Sequence, residues 1–181
     1  MPRAIAFLLV APVLTVWMGG CSAQDLQKQL SEMRAQAAVE AENNAVVQRY
    51  WDGKWNERRP ETLDELQTPD VVYHGTSMSM NGIEEYRQVY SAFLSAFHDS
   101  QLEVEELIAE GDRVMTRVTM HAIHKGEFEG IPPTGSEITI HAFTVFRLVD
   151  GKIAEEWEIV DELGLMEQLG MELGPGEPEI D

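Results

Sequence analysis

Apolar residues recur along the chain at different periods, and the changes of period divide it. From Ala4 to Met18 they form one apolar run, too short to span a bilayer comfortably. From 24 to 40 they thin to Leu26, Leu30, Met33 and Ala37 among Gln, Glu and Ala. Those steps of four, three and four predict a polar amphipathic helix. Val46, Val47, Tyr50, Trp51 and Trp55 then share one helical face, and Asn56 to Pro60 break that helix. Glu61 to Gln67 read as a short second helix and Val71 to His74 as a short strand. Gly82 to Phe97 read as a third helix, with Ile83, Tyr86, Tyr90, Phe93 and Phe97 as its apolar stripe.

Beyond residue 101 the period shortens to that of strands. Leu102 to Glu110 and Arg113 to His124 flank Gly111-Asp112. Glu137 to Val149 and Lys152 to Asp161 flank Asp150-Gly151, a strong two-residue hairpin signal. A last helical turn or two, Glu162 to Leu169, stops at Gly170, and the acidic tail 171–181 is expected to be mobile. Helices first, then a long antiparallel meander, make an α+β fold: a strongly curved antiparallel sheet around N-terminal helices, a cone with one open mouth. The domain is expected over 42–170, after a helical polar spacer at 21–41.

The Asp150-Gly151 turn predicts a register. If Val149 faces Lys152, then Leu148 pairs with Ile153, Phe146 with Glu155, Thr144 with Trp157, Ala142 with Ile159 and Ile140 with Asp161, all on one mostly apolar face. A carboxylate at Asp161 would be desolvated there and its pKa raised, as suits a general acid or base near neutral pH. Alternatively the strand ends at Val160 and Asp161 is the exposed N-cap of the next helix. Ile140 and Ile159 would line the cavity beside Asp161, and Trp157 is either a pocket wall or core packing.

Charge narrows the partners. The chain carries 13 Lys+Arg against 32 Asp+Glu, a formal net charge of −19, which repels phosphate backbones and argues against nucleic acid. Cys21 is the single cysteine, so neither an intrachain disulfide nor a cysteine-based zinc site is available. Arg3, the apolar run, Gly19-Gly20 and then Cys21 form an export signal at 1–20. Met18-Gly19-Gly20-Cys21 resembles a bacterial lipobox, which implies lipidation of Cys21 and a membrane anchor. Ser22 after the cysteine suits outer-membrane sorting towards the periplasm by the same analogy. Cleavage after Ala23, giving a soluble periplasmic or secreted protein, is the alternative.

Among the histidines, His74 ends the first strand, where it either reaches the cone mouth to bond a substrate carbonyl or satisfies a backbone group. His121 and His124 are three apart, so a strand sends them to opposite faces and they cannot share a metal. No metal site is expected. Met78 and Met80 precede Asn81-Gly82 in a loop, where they either line an apolar mouth or pack ordinarily. Glu106 and Arg117 face each other across Gly111-Asp112 as a structural ion pair.

Several stretches together resemble one family. They are Glu110-Gly111-Asp112-Arg113-Val114, the segment from Gly126 to Gly135, Asp150-Gly151-Lys152-Ile153, Glu156-Trp157, and Asp161 through Gln168-Leu169-Gly170. In order and spacing they are similar to the SnoaL-like polyketide (ester) cyclase family, within the nuclear transport factor 2-like cone fold, over residues 42–170. The resemblance implies ring closure by intramolecular aldol condensation, without metal or cofactor. It implies Asp161 as general acid/base, because Asp161 opens the segment Asp-x-x-x-Leu-x-x-Gln-Leu-Gly, and His124 as the match to a histidine common in the family's motif. The expected substrate is a small apolar carbonyl compound in a cyclase-, isomerase- or lyase-type step, with His74 assisting, and the expected assembly is a homodimer. The rival reading is an envelope-tethered binding module that holds an apolar molecule or lipid without turnover.

Overall fold

The computed structural model describes residues 22–171. The expected export signal, Cys21 and the acidic tail from residue 172 lie outside the described residues. Helix α1 runs from Ala23 to Trp51, capped where Ser22 Oγ accepts from the Asp25 amide at 3.2 Å. The chain divides into two compact units after Arg34, and every side chain from 22 to 34 is exposed.

In the second unit, α1 buries Val46, Val47, Tyr50 and Trp51 and runs into a π-helical turn, Asp52–Asn56. Then follow α2 (Glu61–Leu66), β1 (Gln67–His74), β2 (Ser79–Asn81), α3 (Ile83–Ala96), β3 (Phe97–Glu110), β4 (Arg113–His124), β5 (Glu137–Val149), β6 (Lys152–Val160) and α4 (Glu162–Gln168). The strands form one curved open sheet in the order β2-β1-β6-β5-β4-β3. This is the α+β architecture expected, with N-terminal helices packed on the sheet. Tyr50 and Trp51 both meet Phe146 of β5 edge-on, at 5.7 and 5.5 Å between ring centroids.

Two features differ from the expected meander. β1 is longer than expected and joins β6 in parallel, with Tyr73 opposite Glu156 and His74 opposite Trp157. The β5–β6 hairpin also changes register. Asp150 and Gly151 take φ of 50° and 74°, the left-handed pair that a tight two-residue turn requires. Val149 pairs with Lys152 and Leu148 with Ile153, as expected. Arg147 then pairs with Glu155, Phe146 with Glu156, Val145 with Trp157 and Phe143 with Ile159. Ala154 is an extra residue, a β-bulge, and one extra residue turns every later side chain to the opposite face. The expected pairs from Phe146–Glu155 through Ile140–Asp161 are therefore corrected. Ile138, Ile140, Ala142, Thr144, Phe146 and Leu148 of β5 do face inward, but Glu156, Glu158 and Val160 face them, not Glu155, Trp157 and Ile159.

Candidate active site

Between the helices and the inner sheet face lies a cavity of about 600 Å³, within the usual size range for a small-molecule site. Its walls are mostly apolar, among them Trp55, Met80, Phe93, Val118, Met120 and Ile140. Into this lining project Lys54, Tyr73, Tyr86, Tyr90 and Glu158. Met78, Glu127 and Glu129 are exposed and lie at its edge.

Lys54 reaches the cavity because the π-helical turn continues the buried face of α1. Its Nζ lies 5.0 Å from the Tyr50 ring centroid, 5.3 Å from Trp51, 4.9 Å from Trp55 and 4.8 Å from Tyr86. It donates to Tyr86 Oη at 2.6 Å. Tyr86, on α3, donates to Glu156 Oε2 at 2.9 Å and lies 2.7 Å from Tyr50 Oη. Gln67 Nε2 donates to Tyr50 Oη at 3.1 Å. Behind the wall is thus a connected chain from lysine through tyrosine to a wholly buried carboxylate.

Burial sets the proton affinities of this chain. Glu156 is pushed up to about 7 by desolvation, with the Glu158 charge acting the same way and Lys54 opposing. Its Oε1 has no hydrogen-bond partner, which further favours the protonated acid. Desolvation lowers the Lys54 amine. The Tyr50 and Tyr86 phenols are raised by burial and then by Glu156.

Glu158 lies two residues farther along the same face. Oε2 accepts from Tyr73 Oη at 2.8 Å and Oε1 from Thr144 Oγ1 at 3.1 Å. Each oxygen has a donor, and the group still borders the cavity. A carboxylate, an amine and phenols in one apolar chamber have the composition required to move a proton next to a carbonyl and to meet the charge that develops on its oxygen.

The residues singled out from the sequence scatter around this chamber. Ile140 lines it, as do Met78 and Met80. Asp161 does not. It is exposed and serves as the α4 N-cap, with Oδ1 accepting from the Gly164 amide at 2.9 Å. The expectation of a desolvated Asp161 is overturned, because the bulge removes it from the apolar face and the strand ends at Val160. Trp157 stands on the opposite face of the sheet, its ring stacked 5.3 Å from that of His74, and Arg113 lies 5.0 Å from its centroid. His74 points the same way, with Nε2 3.0 Å from Glu155 Oε1. Ile159 is 69% exposed. His124 is wholly buried, and its Nδ1 accepts from the Thr134 amide at 3.3 Å and lies 3.0 Å from Thr134 Oγ1, which anchors the loop after β4. Glu106 and Arg117 pair as expected, at 3.0 Å. Among the described residues no three His, Cys, Asp or Glu side chains are placed to share a metal ion.

Lys54, Tyr73, Tyr86, Glu156 and Glu158 were not singled out as site residues. The available signal was a lysine four residues from Tyr50 on an otherwise apolar helix face, which is rarely left unoccupied by function or partner.

A family model of the SnoaL-like polyketide cyclase matches residues 45–169. Aklanonic acid methyl ester cyclase DnrD of Streptomyces peucetius is 33% identical over 129 residues, 69% of this chain and 86% of that protein. Aklanonic acid methyl ester cyclase DauD of Streptomyces sp. (strain C5) is 28% identical over 127 residues, 69% of this chain and 77% of that protein. Among solved structures, AclR of Streptomyces galilaeus superposes with a TM-score of 0.68 at 32% identity, covering 76% of this chain and 91% of its own. From residue 45 to residue 169, this chain belongs to the SnoaL-like polyketide cyclase family.

Proposed function

We propose that the protein is a cofactor-free cyclase-type enzyme for a small, mostly apolar carbonyl compound, closing a ring by intramolecular aldol chemistry. The observation that carries this reading is a carboxylate, Glu158, bordering an apolar cavity that also holds a lysine and three tyrosines. In this reading Glu158 takes a proton from a carbon next to a carbonyl. The enolate carbon attacks a second carbonyl of the same molecule, and the resulting alkoxide takes a proton back. Lys54 and Tyr86 face the oxygen on which charge develops, and the dry wall strengthens their attraction. The methyl ester cyclases among its relatives support a carbonyl-rich ester as substrate class.

A second reading keeps Asp161 as the general acid/base, with His74 assisting. It is favoured by the motif and by the lining role of both chain neighbours of Asp161, Val160 and Glu162. In that reading Asp161 releases the Gly164 amide and turns inward. Turnover of a polyketide-type keto ester by wild type, Glu158→Gln and Asp161→Asn separates the two. We expect Glu158→Gln to lose roughly 10²–10⁴-fold in kcat and Asp161→Asn to remain active. Loss confined to Asp161→Asn would assign the chemistry to Asp161. A compound bound and released unchanged by wild type would replace turnover with the binding module.

We further propose that the domain is exported and tethered at the cell envelope through lipidated Cys21, and that it works as a homodimer. Mass spectrometry of the mature N-terminus tests the anchor, with a diacylglyceryl cysteine as the expected species and an N-terminus at residue 24 as the contrary one.

A further inference from the structure

We propose that Lys54 is a carbonyl-capturing nucleophile, its amine condensing with a ketone or aldehyde of the cavity's ligand to form an imine. The proposal rests on the reading of the cavity as a carbonyl site and adds a covalent step to it.

The position of the amine carries the inference. Lys54 is 4% exposed, and it lines the cavity. Four aromatic rings surround Nζ at 4.8–5.3 Å and hold its stem. Its hydrogen-bond partner is one neutral phenol, Tyr86. Among the described residues it has no carboxylate within ion-pairing distance. The chain's three other lysines are ordinary. Lys28 pairs with Glu32 at 3.8 Å and Lys125 with Asp99 at 2.7 Å. Lys152 Nζ donates to the Asp64 carbonyl at 2.9 Å.

A buried ammonium that merely stabilises a fold is normally matched by a carboxylate in contact. Here no carboxylate contacts the amine, and Tyr86 stands between it and Glu156. Burial outweighs the pull of Glu156 and Glu158 and lowers the amine's affinity for its proton, so more of it is nucleophilic.

The chemistry balances without an oxidant or reductant. The Nζ lone pair adds to the carbonyl carbon, and the C=O π pair moves to oxygen, which takes a proton. The ammonium nitrogen of the adduct gives one proton to the relay, and its freed lone pair then expels that oxygen as water after a second proton arrives, which leaves the protonated imine. Tyr86 and Glu156 form the relay that supplies and recovers these protons. The protonated imine draws electrons from the adjacent carbon and acidifies the proton that Glu158 faces.

The test uses benzylacetone, an apolar methyl ketone, with sodium cyanoborohydride to fix any imine as a secondary amine, followed by peptide mass mapping. We expect alkylation at Lys54 at severalfold the occupancy of Lys28, Lys125 or Lys152, since burial weakens the amine's hold on its proton and leaves more of it free to add. Lys54→Arg keeps the charge and cannot form the adduct. Binding of the corresponding alcohol, followed by tryptophan fluorescence, reports whether its cavity is intact. Loss of the adduct with retained alcohol binding supports the proposal. Equal or greater labelling of the surface lysines, or no Lys54 adduct in a wild type that binds the alcohol, overturns it. If wild type is unlabelled while Glu158→Gln abolishes cyclisation, the imine falls and the acid/base reading stands. If wild type neither binds the alcohol nor is labelled, both fall.

Discussion

At Glu156, burial and charge are in direct opposition. The carboxyl has no exposed surface, and one of its oxygens is unpartnered, so folding holds the proton more tightly than the free acid does. The folded affinity rises from 4.5 to about 7. The favourable contribution is therefore complete below pH 4.5 and is lost as pH rises through about 7. Glu156→Gln, which carries no titrating proton, should show a flatter dependence of the urea midpoint on pH across that window. An unchanged slope would mean that Glu156 is ionised throughout and that Lys54 compensates its charge. At higher pH the Lys54 amine, depressed by the same burial, works in the opposite sense.

Secondary elements depend on single residues at two places. Gly126 stands against the end of α3: the amides of Lys125 and Gly126 both donate to the Ala96 carbonyl at 2.9 Å, and a Cβ at 126 would lie 2.2 Å from the Ser95 carbonyl oxygen. Backbone cannot yield cheaply there, so Gly126→Ala should cost roughly 1–3 kcal/mol, read from urea unfolding; an unchanged midpoint would show that the loop shifts freely. The second place is the β6 bulge. Deleting Ala154 should remove the extra residue yet keep the pairs Arg147–Glu155 through Phe143–Ile159, so circular dichroism on heating should still show one cooperative transition; loss of cooperative unfolding would show that the bulge itself is needed where β6 meets β1.

The same bulge marks the limit of what the sequence discloses. Apart from β2, whose Met80 was expected in a loop, strand and helix identities followed from periodicity, and the inward face of β5 was legible from Ile140, Ala142 and Phe146. Nothing in Ala154-Glu155 signals an extra residue, because a bulge is set by how β6 meets β1 and β5 together, a non-local requirement. From that single residue onward, the face assigned to Trp157, Ile159 and Asp161 was inverted. The parallel β1–β6 pairing escaped for the same reason. The acidic inner residues stood in plain view but beside the wrong neighbours.

On the outer face of the sheet, Phe143 and Ile159 pair directly and are 53% and 69% exposed, and Ile108 is 55% exposed on β3. An apolar outer surface of this kind usually meets a partner. If a second copy covers it, Ile159→Lys should convert a dimer to a monomer in light scattering while leaving the inner cavity intact; a wild type that is monomeric already would refute the dimer. The inner face bears on the central claim, that proton transfer belongs to a carboxylate turned into the cavity by a bulge. Its most direct measurement is the pair of kcat values for Glu158→Gln and Asp161→Asn on one keto ester. The account predicts a fall of roughly 10²-fold or more for the first and near wild-type turnover for the second. An active Glu158→Gln beside an inactive, folded Asp161→Asn would contradict it.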